Sequence, residues 1–423
     1  MGSWDLYCAI CGGPTSGAEV SRKPRSSRFL RRMAREAEIR KARNIPRTHS
    51  VSILSDMETM EEYEAREAAG ELSSGPDDDS DDDVDDNDSL SADSMCTEEE
   101  MYTYDPTILT ADDVAWVEKI QVLGQDLRNT AGKKPFVSGI GRAYEYGRVI
   151  VPMDSSDHQN PITNAPGREL VAYWHIDDGP VVFPFHPCCY ELLACCITGV
   201  RDASRLDEDR LFGVMKELTT EFCPRLELDY GEPCPNMEQY WCSYPGEEIF
   251  VAEPIEGETL RPLMRSILAN DKFQLPDKHG EAGAADRVTC DVFRNLPYDV
   301  ICAIAELLPA SSLMALSQAS RTLDSVLAGD APLWRHCLSR ELPWFYELIH
   351  LVHEPGLGPR LNFKLVIDWA QKVTKPQLDM RGPFLAVANR RRIWGMCEQL
   401  ARLYQTAQPL DHPESLLQEV ALQ

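Results

Sequence analysis

The chain has 423 residues, of which 69 are acidic and 42 basic, and its formal net charge at pH 7 is −27. This length corresponds to roughly three average domains, and a hydrophobic fraction of 43% is enough for a sizeable core. Non-specific nucleic-acid binding depends on cationic side chains that displace counterions from phosphates. We therefore do not expect nucleic acid to be a partner of so acidic a chain.

The net charge is concentrated in one part of the chain. Residues Asp56–Glu100 contain 20 acidic side chains and one basic one, whereas Ser21–Arg47 contains 11 basic and 2 acidic side chains. Within the acidic part, residues 73–93 have almost no apolar side chains to offset the entropy cost of folding. We predict a basic and then acidic disordered insert over residues 14–105. Its basic part is a nuclear-import signal, a contact for an anionic surface, a partner of the acidic part, or a solubilising tail without further function.

No secretory or membrane signal is visible in the sequence. The first 14 residues lack the apolar stretch of a signal peptide, and no run reaches the ~18 apolar residues that span a bilayer. We expect a protein of the cytoplasm or nucleus that makes no membrane contact. Its 14 cysteines are then reduced thiols that serve as core residues, metal ligands or nucleophiles.

The spacing of apolar residues predicts a mixed α+β fold that is mostly helical. Strand-like runs at Arg148–Met153, Leu170–His175 and Val181–Phe185 precede predicted helices at Pro187–Thr198 and Asp207–Thr219. We divide the chain into a Cys/His-containing α+β region (1–13 and 106–270), the insert, a linker (271–290), a central helical segment (291–342), C-terminal helices (343–406) and a tail (407–423).

The central segment, residues 291–342, contains the most specific pattern in the chain. It begins with the pair Leu296-Pro297, which is extended because a residue before proline avoids helical geometry. A helix with regularly spaced apolar residues follows, then a second helix that Ser311 and Ser312 can cap, and later the pair Leu333-Trp334. In this order the features resemble an F-box with three helices. Apolar spacing alone would equally suit an ordinary helical hairpin.

The resemblance implies that this segment docks a Skp-type adaptor and, through it, a cullin. A helical unit this small cannot bury all its apolar residues by itself. The apolar residues that remain on its surface can form a binding site for a partner protein. An F-box protein of this kind is a non-catalytic receptor that presents a protein substrate, unknown here, for ubiquitination. The resemblance implies adaptor contacts at Leu296, Pro297, Ile301, Ile304 and Leu308, and core positions at Leu316, Leu327 and Trp334.

Two short Cys/His motifs predict a structural zinc site. Cys8 and Cys11 form a CxxC pair, and His186 and Cys189 have the same separation at the start of a predicted helix. Zinc takes four nitrogen or sulfur ligands in a tetrahedron, and a helix N-terminus favours thiolate over thiol. Cys188 is an alternative to Cys189. The competing interpretations are that the cysteines are small buried hydrophobes, or that the two motifs never meet.

The motifs together also resemble a large group of filamentous-fungal F-box proteins in which a Cys/His-containing region precedes a central F-box. The shared features are the CxxC-Gly-Gly start, the turn Ser138–Gly141, the block Phe185–Tyr190 and the segment Ala388–Trp394. The long insert after the first cysteine pair departs from that pattern and leaves the pairing of the two motifs open.

No motif of a catalytic site is present. The turn Ser138–Gly141 lacks the third glycine of a phosphate-binding loop, and neither Gly-x-Ser-x-Gly nor His-Glu-x-x-His occurs. We therefore expect no intrinsic enzyme activity. A cationic patch of Lys375, Arg381 and Arg390–Arg392 with Trp394 is a candidate substrate surface. The alternative is that Ile393, Trp394 and Cys397 face a core while the arginines are solvated or paired with acids.

Two other functions remain open from the sequence. The chain could be an F-box scaffold that binds the adaptor without a cullin and acts outside ubiquitination. It could also be a metal-dependent nuclear binding protein whose central helices only resemble an F-box.

Overall fold

The computed structural model describes residues 5–26, 29–30, 33, 101–125, 135–144, 147–152, 167–173, 181–220, 223–255, 257, 259–275, 291–327, 330–354 and 361–407. Most of the predicted insert, linker and tail lies outside these residues. Two compact units are present. The first comprises Met1–His186, Thr219–Leu226 and Cys234–Val251, and the second comprises Pro187–Leu218, Glu227–Pro233 and Ala252–Gln423. No helix among the described residues is long and apolar enough to cross a membrane.

The folded chain extends further into the predicted insert than its composition suggested. Ser21 and Arg25 are buried in the first unit, and Val20 pairs with Tyr104. The amides of Ser21 and Tyr104 donate to carbonyls across this contact, to Tyr104 and Glu19 respectively. The insert predicted over residues 14–105 therefore has the wrong bounds at both ends, because backbone pairing between its two ends is invisible to composition.

Among its described residues, the first unit contains a short helix at 111–114 and six strands. The helix α1 (Ala111–Val114) begins at Thr110, whose side chain forms a capping box with Asp113, and a single turn of 3-10 helix (Ala115–Glu118) follows. The strands are β1 (Gln121–Gln125), β2 (Pro135–Val137), β3 (Arg142–Tyr144), β4 (Arg148–Val151), β5 (Arg168–Val171) and β6 (Val182–Phe185). β4 and β6 lie within predicted strands, and β5 overlaps the predicted strand Leu170–His175 at its last two residues. β1 to β3 were not predicted: β1 is buried along most of its length and shows no alternation, and β2 and β3 have only three residues each.

The strands form a small closed barrel. Two antiparallel sheets, in the orders β2-β1-β6 and β3-β4-β5, are joined at both edges by the bridges Ile120–Gly141 and Ala172–Val182. Neighbouring strands therefore follow the order β1, β6, β5, β4, β3 and return to β1. Among the described strands, β2 pairs only with β1 and lies outside this ring, so the barrel consists of β1 and β3 to β6.

The turn Ser138–Gly141 is the corner at which the chain passes from β2 to β3. The Ser138 hydroxyl accepts a hydrogen bond from the Val122 amide at 2.9 Å and donates one to the Gly139 carbonyl at 2.8 Å. A Cβ atom on Gly141 would overlap the carbonyl oxygen of Ile150. Glycine is required here because two backbones meet closely, and the turn is a structural corner of the barrel.

The second unit is helical. Its helices are α2 (Pro187–Thr198), α3 (Glu208–Glu217), α4 (Leu260–Leu268), α5 (Tyr298–Leu307), α6 (Ala310–Ala319), α7 (Arg321–Leu327), α8 (Ala331–Glu341), α9 (Tyr346–His353), α10 (Phe363–Val373) and α11 (Leu385–Thr406). The helix α2 packs on α11. The Cys/His-containing region predicted over 1–13 and 106–270 is divided between the two units: residues 5–13 and the strands belong to the first unit, and α2 to α4 belong with the C-terminal helices.

The segment 291–342 folds into the helices α5 to α8, which share one apolar core with α4, α9 and α10. At its start, the Asp291 carboxylate accepts hydrogen bonds from the Phe293 amide, the Ser320 hydroxyl and the Thr322 amide. At its end, the Trp334 indole donates to the Leu327 carbonyl at 2.8 Å. Trp334 and Leu327 are buried as predicted, while Leu316 is only half-buried against the same core.

Two glycines provide a matched test of the barrel corner. Gly141→Ala should lower the free energy of unfolding by about 2–3 kcal/mol, because its methyl group forces two backbones apart. Gly395→Ala should raise it by about 1 kcal/mol, because Gly395 lies inside α11 with open space around it and alanine favours the helix. Chemical denaturation of both variants measures the difference, and equal effects would contradict the barrel corner.

Candidate functional site

Four potential metal-ligating side chains meet in a buried cluster. One ligand atom from each of Cys8, Cys11, His186 and Cys189 lies within 4.8 Å of every other, and all four residues are buried. The two motifs therefore meet, and the cluster could hold a metal ion.

The N-terminal pair lies on a tight hairpin. Tyr7 pairs with Pro14, the Cys8 amide donates to the Gly13 carbonyl at 2.9 Å, and Gly12 has a φ of 64° that favours glycine. The amide of Cys11 points to the sulfur of Cys8 at 3.5 Å, and the amide of Gly13 points to the sulfur of Cys11 at 3.4 Å. Hydrogen bonds of this kind stabilise the thiolate form, which is the form that binds metals.

His186 connects the cluster to the turn that precedes the barrel. Its Nδ1 lies 3.6 Å from the sulfur of Cys11, and its Nε2 lies 3.1 Å from the Val117 carbonyl. Burial by itself lowers the pKa of His186, but Cys8 and Cys11 beside the ring outweigh it, so that the pKa is well above its usual value in the metal-free chain. A metal ion needs the neutral ring and therefore displaces this proton.

The fourth ligand is placed by the start of α2. Pro187 is the first residue of this helix, so Cys189 lies in its first turn, three residues after His186. Cys189 is fully buried and belongs to the cluster, whereas Cys188 is half-exposed and does not. Adjacent residues of a helix point about 100° apart, and this difference in direction selects Cys189.

One edge of the cluster has the length that a tetrahedral zinc site would have. With zinc–sulfur bonds of ~2.3 Å and a zinc–nitrogen bond of ~2.05 Å, the sulfur-to-nitrogen edge of a tetrahedron is about 3.6 Å. The distance from Cys11 Sγ to His186 Nδ1 is 3.6 Å. Sulfur and imidazole donors also bind zinc in preference to magnesium or calcium, which favour oxygen ligands.

The residues that the resemblance assigns to adaptor binding differ in exposure. Leu296 and Pro297 are exposed at the start of α5. Ile304 and Leu308 are half-buried and line an apolar cleft between α5, α6 and α7. Ile301 is only 3% exposed, packs in the core and lines the same cleft, and its assignment as an adaptor contact stays a prediction.

Two cations of the predicted patch, Arg390 and Arg392, are buried, whereas Lys375 and Arg381 are exposed. Both terminal nitrogens of Arg390 bond the Glu347 carboxylate, at 2.8 and 2.9 Å, and both residues have fully buried side chains. The other three hydrogens of the guanidinium go to the carbonyls of Pro254, Trp344 and Ile255. Arg392 is buried as well, and Ile393, Trp394 and Cys397 belong to the core. The alternative is therefore confirmed: this segment packs inward, with Arg390 paired to an acid.

No protein-family model, curated protein or solved structure matches the chain.

Three residues that contribute to these sites were missed from the sequence. Trp116 and Val117 lie beside His186, and Glu347 neutralises Arg390. Thr110 caps the helix that precedes Trp116, but no spacing in the sequence relates residue 117 to residue 186. For Glu347, the signal in the sequence was an acidic residue within an otherwise apolar helical run, which indicates a buried acid that needs a partner.

Removing a ligand should abolish metal binding. We expect Cys8→Ser and Cys189→Ser each to reduce bound metal well below one ion per chain, because a structural tetrahedral site loses affinity steeply with each ligand. Cys188→Ser is the matched control and should keep the metal content of the unaltered chain. Elemental analysis of the purified proteins measures the content, and a thermal melt with and without chelator measures the linked stability. Loss of metal in Cys188→Ser with retention in Cys189→Ser would reverse the assignment.

The buried ion pair should show strong non-additivity. Arg390→Met alone should destabilise the chain by about 3–5 kcal/mol because it leaves the Glu347 charge buried and unpaired. The double variant Arg390→Met, Glu347→Leu should recover much of that loss. Arg402→Met, at an exposed position of the same helix, is the control. Denaturation curves that show additive losses would contradict the pairing.

Proposed function

We propose that this protein is an F-box-type substrate receptor of a cullin ubiquitin ligase, with a structural zinc ion at the Cys/His cluster. In this function the segment 291–342 docks a Skp-type adaptor, the adaptor links to a cullin, and another surface holds a protein substrate. The receptor contributes proximity, because it raises the effective concentration of substrate lysines near the charged conjugating enzyme.

The observation on which the proposal rests is the exposed apolar surface at the start of this segment. Leu307 at the end of α5 is 85% exposed, and Val292, Leu296, Tyr298 and Val300 are exposed at its beginning. Scattered exposed apolar residues are ordinary, but five within 16 residues of sequence are typical of a surface that a partner covers. The position of this surface supports the proposal, since it includes the Leu296-Pro297 pair that the F-box resemblance assigns to the adaptor.

The zinc ion is proposed as a structural cofactor. Cys8, Cys11, His186 and Cys189 would be its ligands, because three thiolates and an imidazole complete a tetrahedron. A catalytic zinc site keeps one position for water or substrate, whereas here four protein donors are all fully buried. This closed set supports a non-catalytic function.

Co-purification with the adaptor tests the docking surface. The double variant Leu296→Ala, Pro297→Ala should weaken adaptor binding roughly 10- to 100-fold, because burying one leucine side chain at an interface is worth about 1.5–3 kcal/mol. The measurement is affinity purification of the tagged full chain followed by mass spectrometry and by titration with purified adaptor.

Leu263→Ala is the matched control, since Leu263 on α4 and Leu296 are both 37% exposed. Undiminished adaptor binding by the double variant would overturn the proposed surface. Recovery of adaptor and cullin with the unaltered chain supports the receptor function. Recovery of the adaptor alone would favour a scaffold outside ubiquitination, and recovery of neither would favour a metal-dependent binding protein.

A further inference from the structure

We infer that His186 binds the metal through Nδ1, and that the turn Ala115–Glu118, with Trp116 as its positioning residue, selects this nitrogen and sets the affinity of the site. The inference rests on the proposed metal centre and goes beyond it, because it assigns a function to residues outside the ligand set.

The two ring nitrogens of His186 have different surroundings. Nδ1 faces the sulfur of Cys11 at 3.6 Å, within the cluster. Nε2 faces away from the cluster and lies 3.1 Å from the carbonyl oxygen of Val117. A carbonyl only accepts hydrogen bonds, so Nε2 must carry the proton. The neutral ring then has its lone pair on Nδ1, directed at the thiols, and this is the arrangement that a metal ion requires.

Trp116 fixes both the position and the tilt of this ring. The Trp116 ring meets the His186 ring edge to face, with their centroids 4.5 Å apart. Its indole N–H donates to the Val251 carbonyl at 2.8 Å, which anchors the tryptophan from its other end. Because Val117 is the next residue, the anchor that holds Trp116 also holds the carbonyl that receives the Nε2 proton.

The turn Ala115–Glu118 contacts the ligand His186 but contributes no ligand of its own. Trp116 and Val117 are buried, and Thr110 caps the helix that leads into the turn. Groups that orient a metal-binding histidine from outside the ligand set typically change metal affinity 10- to 100-fold when they are altered. Trp116 therefore contributes to the site as a positioning residue.

Trp116→Phe isolates the anchor, because it removes the indole donor and keeps an aromatic ring. We expect a 10- to 100-fold loss of zinc affinity, measured by competition with a chromophoric chelator. Trp241→Phe is the matched control: Trp241 is a buried tryptophan of the same unit, 6% exposed against 5% for Trp116, and its indole donates to the Tyr104 hydroxyl at 3.1 Å. We expect Trp241→Phe to lose stability but to keep the zinc affinity of the unaltered chain.

Nitrogen-15 NMR of the unaltered zinc-bound chain provides a readout that does not depend on any variant. Long-range proton–nitrogen correlation should show His186 with a protonated Nε2 and a metal-bound Nδ1. A metal-bound Nε2, or equal zinc affinities for Trp116→Phe and Trp241→Phe, would overturn the inference while leaving the metal centre in place. Absence of stoichiometric zinc in the unaltered chain would instead overturn the metal centre and the inference with it.

Discussion

The convergence of four buried metal-ligating side chains is the constraint on which the first unit depends. His186 and Cys11 are 175 residues apart in sequence, yet their ligand atoms lie 3.6 Å apart without solvent exposure. Burying polar groups without hydrogen bonds or opposite charge is costly. The elements around the cluster therefore supply partners for its polar atoms. Backbone amides of the N-terminal hairpin face two sulfurs, and a carbonyl faces the far nitrogen of the histidine. A long segment between the two motifs costs little, because loop entropy grows slowly with length.

In the second unit, the buried ion pair between Arg390 and Glu347 imposes a comparable constraint on the packing. Arg390 of α11 uses all five of its hydrogens, two on Glu347 of α9 and three on backbone carbonyls. The pair holds a charged group inside an apolar core that also includes the inner faces of α5 to α8. These helices therefore bury one face against α4, α9 and α10. The residues at the start and end of α5 remain outside that packing.

The two proposals describe a protein that acts through its surfaces. A closed set of four donors has no position for a substrate, and the apolar cleft of the second unit is lined without polar groups by leucine, isoleucine, phenylalanine and alanine. Stability from the core and the proposed metal would keep such a surface in place for a partner. A stable core with an exposed binding surface fits the proposed receptor, whose contribution to a reaction is to hold another protein nearby.

Local features of the sequence were sufficient to predict most helices, three of the strands and all four residues of the candidate site. The spacing of apolar residues and the two-residue gaps of the Cys/His motifs are local properties of the chain, so they can be read without knowing which distant residues come together. Only the tertiary structure could show that β1 and β3 to β6 close into a barrel and that residues near 20 and 104 pair. It alone distinguished Cys189 from Cys188 and placed Ile301 and Arg390 inside. The physical reason is that a side chain's direction follows from its own backbone, whereas what it meets in that direction depends on chain folded from far away in sequence.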